Sequence, residues 1–193
     1  MTDTKKSGKP RGRPRRFDPE EGVAIAQALF HACGYDAVGV AALTEALGIN
    51  PPSFYAAYGS KAALFERAIE RYARDALPMD AIFREGRDWV EAVADLFEVA
   101  ARVYSADPAA TGCLVLESAR SESDPDCAGP ARAKREESRA TVRDFVALTA
   151  SERAEAVADY AITVLSGLSA SAREGWPVER LLGPARLAGS ALG

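Results

Sequence analysis

The sequence predicts an all-α protein of about nine helices. Alanine is abundant, and the β-branched residues are scattered rather than gathered into alternating runs. Apolar residues instead recur at helical spacing between clear start and stop signals. With 193 residues the chain can form one domain or two small ones, and it is long enough to bury a core.

The first helix is predicted at residues 19–33. Asp18 can cap it, Pro19 suits the first helical position, and Glu21 lies where a capping box places its acid. Apolar residues then follow at helical spacing, and Gly34 ends the segment.

Two short helices follow, at 40–47 and 51–58, with Gly48 between them and Asn50 as the cap of the second. We expect a positive φ at Gly48, because the turn between these helices is tight. The apolar residues that can set the angle between the helices are Leu43, Leu47, Ile49 and Phe54. Two short helices joined by a tight turn that contains glycine form the helix-turn-helix layout.

The rest of the chain is also predicted to be helical, with breaks at proline-containing turns. The predicted helices are 61–77, 86–105, 112–121, 130–149, 152–173 and 178–192. Residues 125–129 are predicted to form a mobile loop.

Charge is distributed unevenly along the chain. The first 16 residues hold seven basic residues and one acidic residue, a net +6, so the remainder carries −10 of the total of −4. A basic arm on an acidic body indicates a polyanion that is touched by one end. Within the arm, Arg11-Gly12-Arg13-Pro14 resembles the core of the AT-hook, which binds the minor groove. A solubilising tail is the alternative.

Several classes of protein are disfavoured. The three cysteines Cys33, Cys113 and Cys127 form no disulfide framework, and one histidine, His31, gives no zinc pattern. We therefore expect no metal or cofactor, and no catalytic motif is recognisable. No apolar stretch reaches the roughly 20 residues that cross a bilayer, and the basic N-terminus is not a secretory signal. A cytoplasmic protein without a membrane partner is expected.

Residues 17–72 resemble the DNA-binding domain of the TetR family of transcriptional regulators. The matching segments, in order, are Ala28-Leu29-Phe30, Gly34-Tyr35, Leu43 to Gly48, Ser53-Phe54-Tyr55, Tyr58-Gly59-Ser60-Lys61 and Leu64-Phe65. Farther along, Gly112-Cys113-Leu114-Val115 and residues 166–175 resemble segments of one subgroup of the family, in which Gly-Cys-Leu opens helix six.

The resemblance implies a basic arm (1–16), a helix-turn-helix DNA-binding domain (17–62) and a helical ligand-binding and dimerisation domain (63–193). The implied function is that of a repressor rather than an enzyme. It would bind a pseudo-palindromic operator as a homodimer and be released by a small-molecule effector. The start of the third helix would enter the major groove.

The implied DNA contacts are Arg11, Arg13, Arg16, Thr44, Pro51, Pro52, Ser53, Tyr55, Tyr58 and Lys61. Tyr55 would hold a phosphate and Ser53 a base edge or phosphate, whereas the ring of Tyr58 also suits a packing role. Pro51 and Pro52 depart from the lysine and glycine that are common in the family. Residues 17–77 carry a net −4, so we expect the arm to supply a large share of the DNA affinity.

An aromatic and aliphatic set on the middle helices would line an effector pocket, although plain core packing is the alternative for each residue. These residues are Phe65, Ile69, Tyr72, Ile82, Phe83, Trp89, Phe97, Tyr104, Leu116 and Phe145. The last two helices would pair with their copies in a second subunit through Tyr160, Val164, Leu168, Leu181, Leu182 and Leu187. Cys113 is interpreted as a packing residue, with redox or metal sensing as the alternative.

Two other classes stay open on the sequence alone. An architectural DNA-binding protein would use the arm and would not respond to an effector. A helical enzyme or protein-interaction module would need a convergent polar site that no motif supplies. The effector, the operator and the direction of regulation are not encoded in any motif.

Overall fold

The computed structural model describes residues 17–120 and 125–193, and over those ranges the protein is helical and contains no strand. The helices are α1 (Pro19–Cys33), α2 (Val40–Leu47), α3 (Pro51–Tyr58), α4 (Lys61–Asp75), α5 (Met79–Ile82), α6 (Trp89–Tyr104), α7 (Leu114–Ala119), α8 (Pro125–Ala147), α9 (Ala154–Arg173) and α10 (Val178–Ser190). The all-α prediction is confirmed. The single-turn helix α5 was not predicted.

Side-chain caps start the N-terminal helices at the predicted residues. The Asp18 carboxylate accepts from the amide of Glu20 at 2.9 Å, and the Asn50 side chain accepts from the amide of Ser53 at 2.9 Å. Each bond satisfies an amide that has no partner within its helix. The turn between α2 and α3 places Gly48 at φ 64° and ψ 31°, which confirms the predicted positive φ.

Helices α1 to α4 share a core of aromatic rings. α1 packs against α2 and α4, and α3 contacts both α2 and α4. The ring of Phe30 meets that of Phe65 edge-on at 5.1 Å and stacks on Tyr35 at 5.8 Å. Phe30, Phe54 and Phe65 are completely buried, so the orientation of the short α3 is fixed by rings on its inner side.

The remaining helices form a bundle around α6 and α9. α10 lies along α6, α6 packs against α9, α8 packs against α4, α7 and α9, and α4 thereby joins the two groups of helices. A Cβ atom at Gly189 would come within 2.8 Å of the Ala94 Cβ, so this glycine lets α10 approach α6 closely. The buried side chains of both groups form one continuous cluster.

The prediction of a loop at residues 125–129 was wrong, because α8 begins at Pro125 and continues through Gly129 and Pro130. Local sequence favours a break there, since proline inside a helix removes a backbone hydrogen bond. Cys127, Ala128 and Ala131 are buried in this segment, and α8 packs against α7. Packing of small residues therefore overrides the local signal.

None of the helices within 17–120 and 125–193 is long and apolar enough to cross a membrane.

Candidate functional site

The N-terminal half of α3 presents a small exposed surface. Pro51, Pro52 and Ser53 are exposed, and the Tyr55 side chain is 51% exposed. Phe54 lies on the opposite side of the helix and is completely buried. The helix is thus held from within, while its first turn and Tyr55 are free to contact another molecule.

Two predicted DNA contacts do not lie on this surface. Thr44 is buried, and its hydroxyl donates to the carbonyl of Ala41 at 2.9 Å. Tyr58 is also buried, and its hydroxyl donates to the carbonyl of Pro19 at 3.0 Å. Both residues are therefore packing residues, because each hydroxyl is turned inward and already bonded.

Lys61, which was predicted to contact the DNA backbone, has partners inside the protein. Its ammonium group donates to the carbonyl of Tyr35 at 3.0 Å and lies 3.7 Å from the centre of the Tyr35 ring. These contacts attach the start of α4 to the turn that follows α1. The predicted contacts Arg11, Arg13 and Arg16 lie outside the described residues.

A cavity of about 60 Å³ lies between α4, α6, α7, α8 and α9. Its walls are mainly aliphatic and include Ala73, Ala76, Leu77, Leu96, Val115, Leu116, Val142, Ile162 and Leu165. The polar residues Tyr72, Tyr104 and Cys113 also line the cavity, and Arg135 and Ser138 line the side formed by α8. A volume of this size can hold about two water molecules or a very small organic molecule.

Three of the predicted pocket residues, Tyr72, Tyr104 and Leu116, line this cavity. The others lie elsewhere, and they are Phe65, Ile69, Ile82, Phe83, Trp89, Phe97 and Phe145. Most of them are covered by neighbouring rings or cations, as in the ring contact of Phe83 with Phe145 at 5.1 Å. Large rings fill the core, so a large aromatic residue is more often a packing residue than part of a cavity wall.

The other aromatic residues that were predicted to line the pocket pack against specific neighbours instead. Phe65 packs edge-on against Phe30, and Phe97 lies 6.0 Å from the ring of Tyr160. Trp89 carries the guanidinium of Arg153 over its ring at 4.9 Å. The missed cavity residues Val142, Ile162 and Leu165 are aliphatic residues on helix faces, and only their partners in space distinguish them from ordinary core.

The polar part of the cavity wall is strongly desolvated. Tyr72 is 6% exposed, and its hydroxyl makes no hydrogen bond of normal distance and angle with the described residues, its polar neighbours being the Cys113 thiol and the Leu114 backbone. The Cys113 thiol lies beside the hydroxyls of both Tyr72 and Tyr104. Burial raises the pKa of all three groups, because a low-dielectric surrounding disfavours their charged forms. The Cys113 thiol is consequently protonated at neutral pH.

A junction connects this cavity to α1. The Nε2 of His31, near the end of α1, lies 3.1 Å from the carbonyl oxygen of Gly112, so it must donate the proton of that bond. The same imidazole meets the ring of Tyr72 edge-on at 5.1 Å. From α9, Arg173 donates to the carbonyl of His31 at 3.0 Å and lies close to that of Thr111 at 3.4 Å.

The backbone of Cys113, the residue after Gly112, is hydrogen-bonded to a side chain of α9. The amide of Cys113 donates to the Ser169 hydroxyl at 2.9 Å, and that hydroxyl donates to the carboxylate of Glu117 at 2.5 Å. Gly112 has φ 79°, and a Cβ there would lie 2.7 Å from Arg173 and 3.1 Å from the carbonyl of Ser169. The backbone at 112–113 is therefore packed tightly between the end of α1 and the cavity.

The predicted dimer residues divide into two groups. Leu168 and Leu181 are buried within the chain, at 4% and 0% exposure, so they belong to its own core. The other four have accessible surface: Tyr160, Val164 and Leu182 are half-buried, and Leu187 is 73% exposed. The Tyr160 hydroxyl donates to the carbonyl of Ala188 at 3.1 Å, which joins α9 to α10.

Metal-ligating side chains do not cluster in the described part of the chain, which holds no group of three His, Cys, Asp or Glu residues arranged to bind an ion.

The family described as "Bacterial regulatory proteins, tetR family" matches residues 23–68, which span most of α1 to α4. The HTH-type transcriptional repressor BdcR of Escherichia coli strain K12 is 44% identical over 190 residues, covering 98% of this chain and 96% of that protein. The HTH-type transcriptional repressor ComR of the same strain is 30% identical over 196 residues, covering 95% and 91%.

The fold is also shared with solved structures. A cysteine mutant of the TetR family regulator CifR, in complex with a 26-base-pair operator DNA, has a TM-score of 0.83 and 34% sequence identity. The match covers 94% of this chain and all of that chain. Full-length similarity to BdcR, together with the helix-turn-helix and the shared fold, confirms the predicted family. The chain belongs to the TetR family of bacterial transcriptional regulators.

Proposed function

We propose that the protein is a repressor that binds a pseudo-palindromic operator as a homodimer and leaves it when a small molecule enters the cavity. The observation that carries the proposal is the exposed surface of α3. Pro51, Pro52, Ser53 and Tyr55 are exposed there, and the buried Phe54 fixes the opposite side of the helix in the core. BdcR, at 44% identity, is a transcriptional repressor, and the CifR mutant is bound to operator DNA. A repressor of this kind acts in the cytoplasm, where its operator is.

Readout of base sequence would come from the first turn of α3. The Ser53 hydroxyl can donate to or accept from a base edge, and Pro52 can contact a thymine methyl group. Tyr55 would place its hydroxyl on a phosphate, which positions the protein without reading sequence.

The basic arm, residues 1–16, would supply much of the electrostatic affinity, because residues 17–77 carry a net −4. Each phosphate that is neutralised steepens the dependence of log K on log salt by about 0.9. Removing residues 2–16 is expected to flatten that slope by several units, as measured by fluorescence anisotropy across a salt series. An unchanged slope would place the phosphate contacts elsewhere.

Dimerisation would use the accessible faces of α9 and α10. Leu187, Leu182 and Val164 would form its apolar part, since an exposed leucine next to half-buried neighbours favours association. A two-fold dimer would place two copies of α3 in neighbouring turns of the major groove. The DNA-binding domain (17–62) and the ligand-binding and dimerisation domain (63–193) would meet at the start of α4.

The junction supplies a route from the cavity to the DNA-binding helices. Cys113 and Tyr72 line the cavity, while the adjacent Gly112 and the ring of Tyr72 both contact His31 of α1. A ligand that displaces Tyr72 or the 112–113 backbone would therefore move the end of α1. Release from the operator would follow only as far as the ligand prefers the displaced arrangement.

The proposal is tested with DNA from immediately upstream of the protein's own gene, in the presence of excess nonspecific DNA. We expect nanomolar binding that persists in the presence of the competitor DNA. A nuclease footprint should show protection of a two-fold symmetric site. The Ser53→Ala variant should change the preferred base at one position of each half-site. Binding that is weak, equal for all sequences and abolished by competitor would favour an architectural role instead.

A further inference from the structure

The polar wall of the cavity consists of hydrogen-bond donors. Tyr72 and Tyr104 each bring a phenol, and Cys113 brings a thiol that lies beside both. Tyr104 is 1% exposed and Tyr72 is 6% exposed, so water at the protein surface does not reach these groups freely. The Tyr72 hydroxyl is buried without a hydrogen-bond partner in the described residues.

The neighbouring oxygen and nitrogen acceptors are already engaged, and the Cys113 sulfur beside Tyr72 is only a weak acceptor. The His31 imidazole faces Tyr72, but its Nε2 is directed at the carbonyl of Gly112. The Glu117 carboxylate accepts from Ser169, and the Ser138 hydroxyl on the α8 side donates to the carbonyl of Lys134. A buried donor without an acceptor is unfavourable, and a ligand that brings an acceptor oxygen removes that penalty.

Charge and size restrict the ligand further. The Glu117 carboxylate is held near Cys113 because it accepts from the Ser169 hydroxyl, which in turn accepts from the Cys113 amide. This negative charge also opposes ionisation of Tyr104, so a second negative charge is disfavoured at this end of the cavity. The volume of about 60 Å³ is less than half that of an apolar cavity of about 150 Å³ that holds benzene. A ligand of about five non-hydrogen atoms is therefore appropriate without rearrangement of the walls.

We propose that the cavity binds a small neutral molecule through an acceptor oxygen, a carbonyl or an ether, to which the hydroxyls of Tyr72 and Tyr104 donate. The aliphatic walls, such as Leu116 and Ile162, enclose the apolar part of the ligand. This assignment rests on the proposed function, because it names the chemical class of the effector.

Three probes of equal size test the chemistry on the protein without DNA: 2-butanone, 2-methyl-1-butene and propanoate. The ketone and the alkene differ in the acceptor oxygen, and propanoate replaces a methyl group with a charged oxygen. Binding is followed by ligand-observed NMR and by the shift in thermal unfolding. We expect 2-butanone to bind about three- to tenfold more tightly than the alkene, the effect of one hydrogen bond.

The matched variants are Tyr72→Phe and Tyr160→Phe. Tyr72→Phe should reduce the preference for the ketone over the alkene, because only the Tyr104 hydroxyl remains as a donor. Tyr160→Phe should leave the preference unchanged, because that phenol donates to Ala188 outside the cavity. Equal binding of ketone and alkene by the unmodified protein would overturn the inference. Tighter binding of propanoate would also overturn it and would assign the chemistry to the guanidinium of Arg135 instead.

Operator release by 2-butanone is measured separately. Ketone binding that depends on Tyr72 supports the ligand assignment, whether or not the operator is released. Failure to bind any operator contradicts only the proposed function, since the probe experiments contain no DNA.

Discussion

The DNA-binding helices and the cavity wall each contain a buried tyrosine, and the two hydroxyls differ in their hydrogen bonding. The Tyr58 hydroxyl donates to the carbonyl of Pro19 and fixes α3 against the start of α1. The Tyr72 hydroxyl, at nearly the same burial, has no partner in the described residues. A satisfied hydroxyl stabilises one arrangement, whereas an unsatisfied one remains available to a molecule that enters from outside.

The largest effect is expected where the Tyr58 bond is disturbed. A Cβ at Gly22 would lie 2.0 Å from the Tyr58 hydroxyl oxygen, so Gly22→Ala must displace that side chain. We expect a loss of about 1–3 kcal/mol in the free energy of unfolding, which outweighs the gain of about 0.5–1 kcal/mol from replacing a helical glycine. Urea denaturation measures the change.

The control for this variant is Gly22→Ala combined with Tyr58→Phe. Without the hydroxyl, the closest atoms to the new Cβ are Leu47 Cδ2 at 3.1 Å and Tyr58 Cζ at 3.2 Å, which small shifts can accommodate. The double variant should therefore lose less stability than the two single changes added together. Simple additivity would show that the Tyr58 bond does not fix this contact.

His31 lies between the two regions and tests their connection. His31→Ala removes the bond to Gly112 and is expected to cost about 1–2 kcal/mol of unfolding free energy, because a carbonyl loses its partner. His31→Gln retains an N–H donor and should lose less. If both variants lose the same amount, the bond is not the stabilising contact at the junction.

The same histidine predicts a pH dependence. Burial, the largest effect, lowers the pKa of His31, as does Arg173, while the bond to Gly112, Asp107 and Glu117 raise it in part. The folded pKa is below the unfolded value, so the unfolded chain binds the proton first as pH falls. The stability contributed by neutral His31 is thus complete above about pH 6.5 and decreases below it.

Urea denaturation between pH 5 and 8 measures this dependence. The difference in unfolding free energy between the unmodified protein and His31→Gln should narrow below about pH 6.5. Both proteins retain Asp107 and Glu117, so carboxylate titration contributes equally to each. A difference that stays constant across this range would show that His31 ionises alike in both states.

A change at Tyr55 is expected to lower the affinity for operator DNA without lowering the stability of the fold. Its side chain is 51% exposed and its ring packs edge-on against Phe54 at 5.4 Å. Tyr55→Phe keeps the ring and removes the hydroxyl, so the free energy of unfolding should change by less than about 0.5 kcal/mol. Operator affinity, measured by anisotropy, should fall about three- to tenfold at every site. A change in the preferred operator sequence would contradict a phosphate contact.

The smallest effect is expected at the unpartnered phenol. Tyr72→Phe removes a buried hydroxyl that has no bond to lose, so the free energy of unfolding should stay within about 0.5 kcal/mol or rise. Tyr58→Phe, the comparison, should lose about 0.5–1.5 kcal/mol, since the carbonyl of Pro19 is then unpaired. A larger loss at Tyr72 than at Tyr58 would reverse the contrast between the two regions.

The helices and their ends were predictable from local chemistry. Asp18 and Asn50 cap the helices expected of them, and Gly48 adopts the positive φ that the turn requires. Each of these features depends on residues within a few positions of one another. The exceptions were the single-turn helix α5 and the segment around Gly129 and Pro130, where burial against α7 overrides a local break signal.

The burial of individual side chains was predicted less well, because it depends on which side of a helix faces a distant one. Thr44 lies next to exposed residues in sequence but turns inward, and Leu168 and Leu181 belong to the chain's own core. Aromatic size suggested Phe65 and Phe97 as pocket residues, whereas both fill space in the core and the cavity is lined mostly by aliphatic residues.

Local sequence was sufficient to identify the helical class, the start and turn of the helix-turn-helix, and the family, because capping, periodicity and motif spacing are local properties. Tertiary structure alone decided that Tyr72, Tyr104 and Cys113 share one cavity wall and that His31 bonds to Gly112, 81 residues away. Those contacts join separate helices, and their existence depends on how side chains exclude one another in the assembled core.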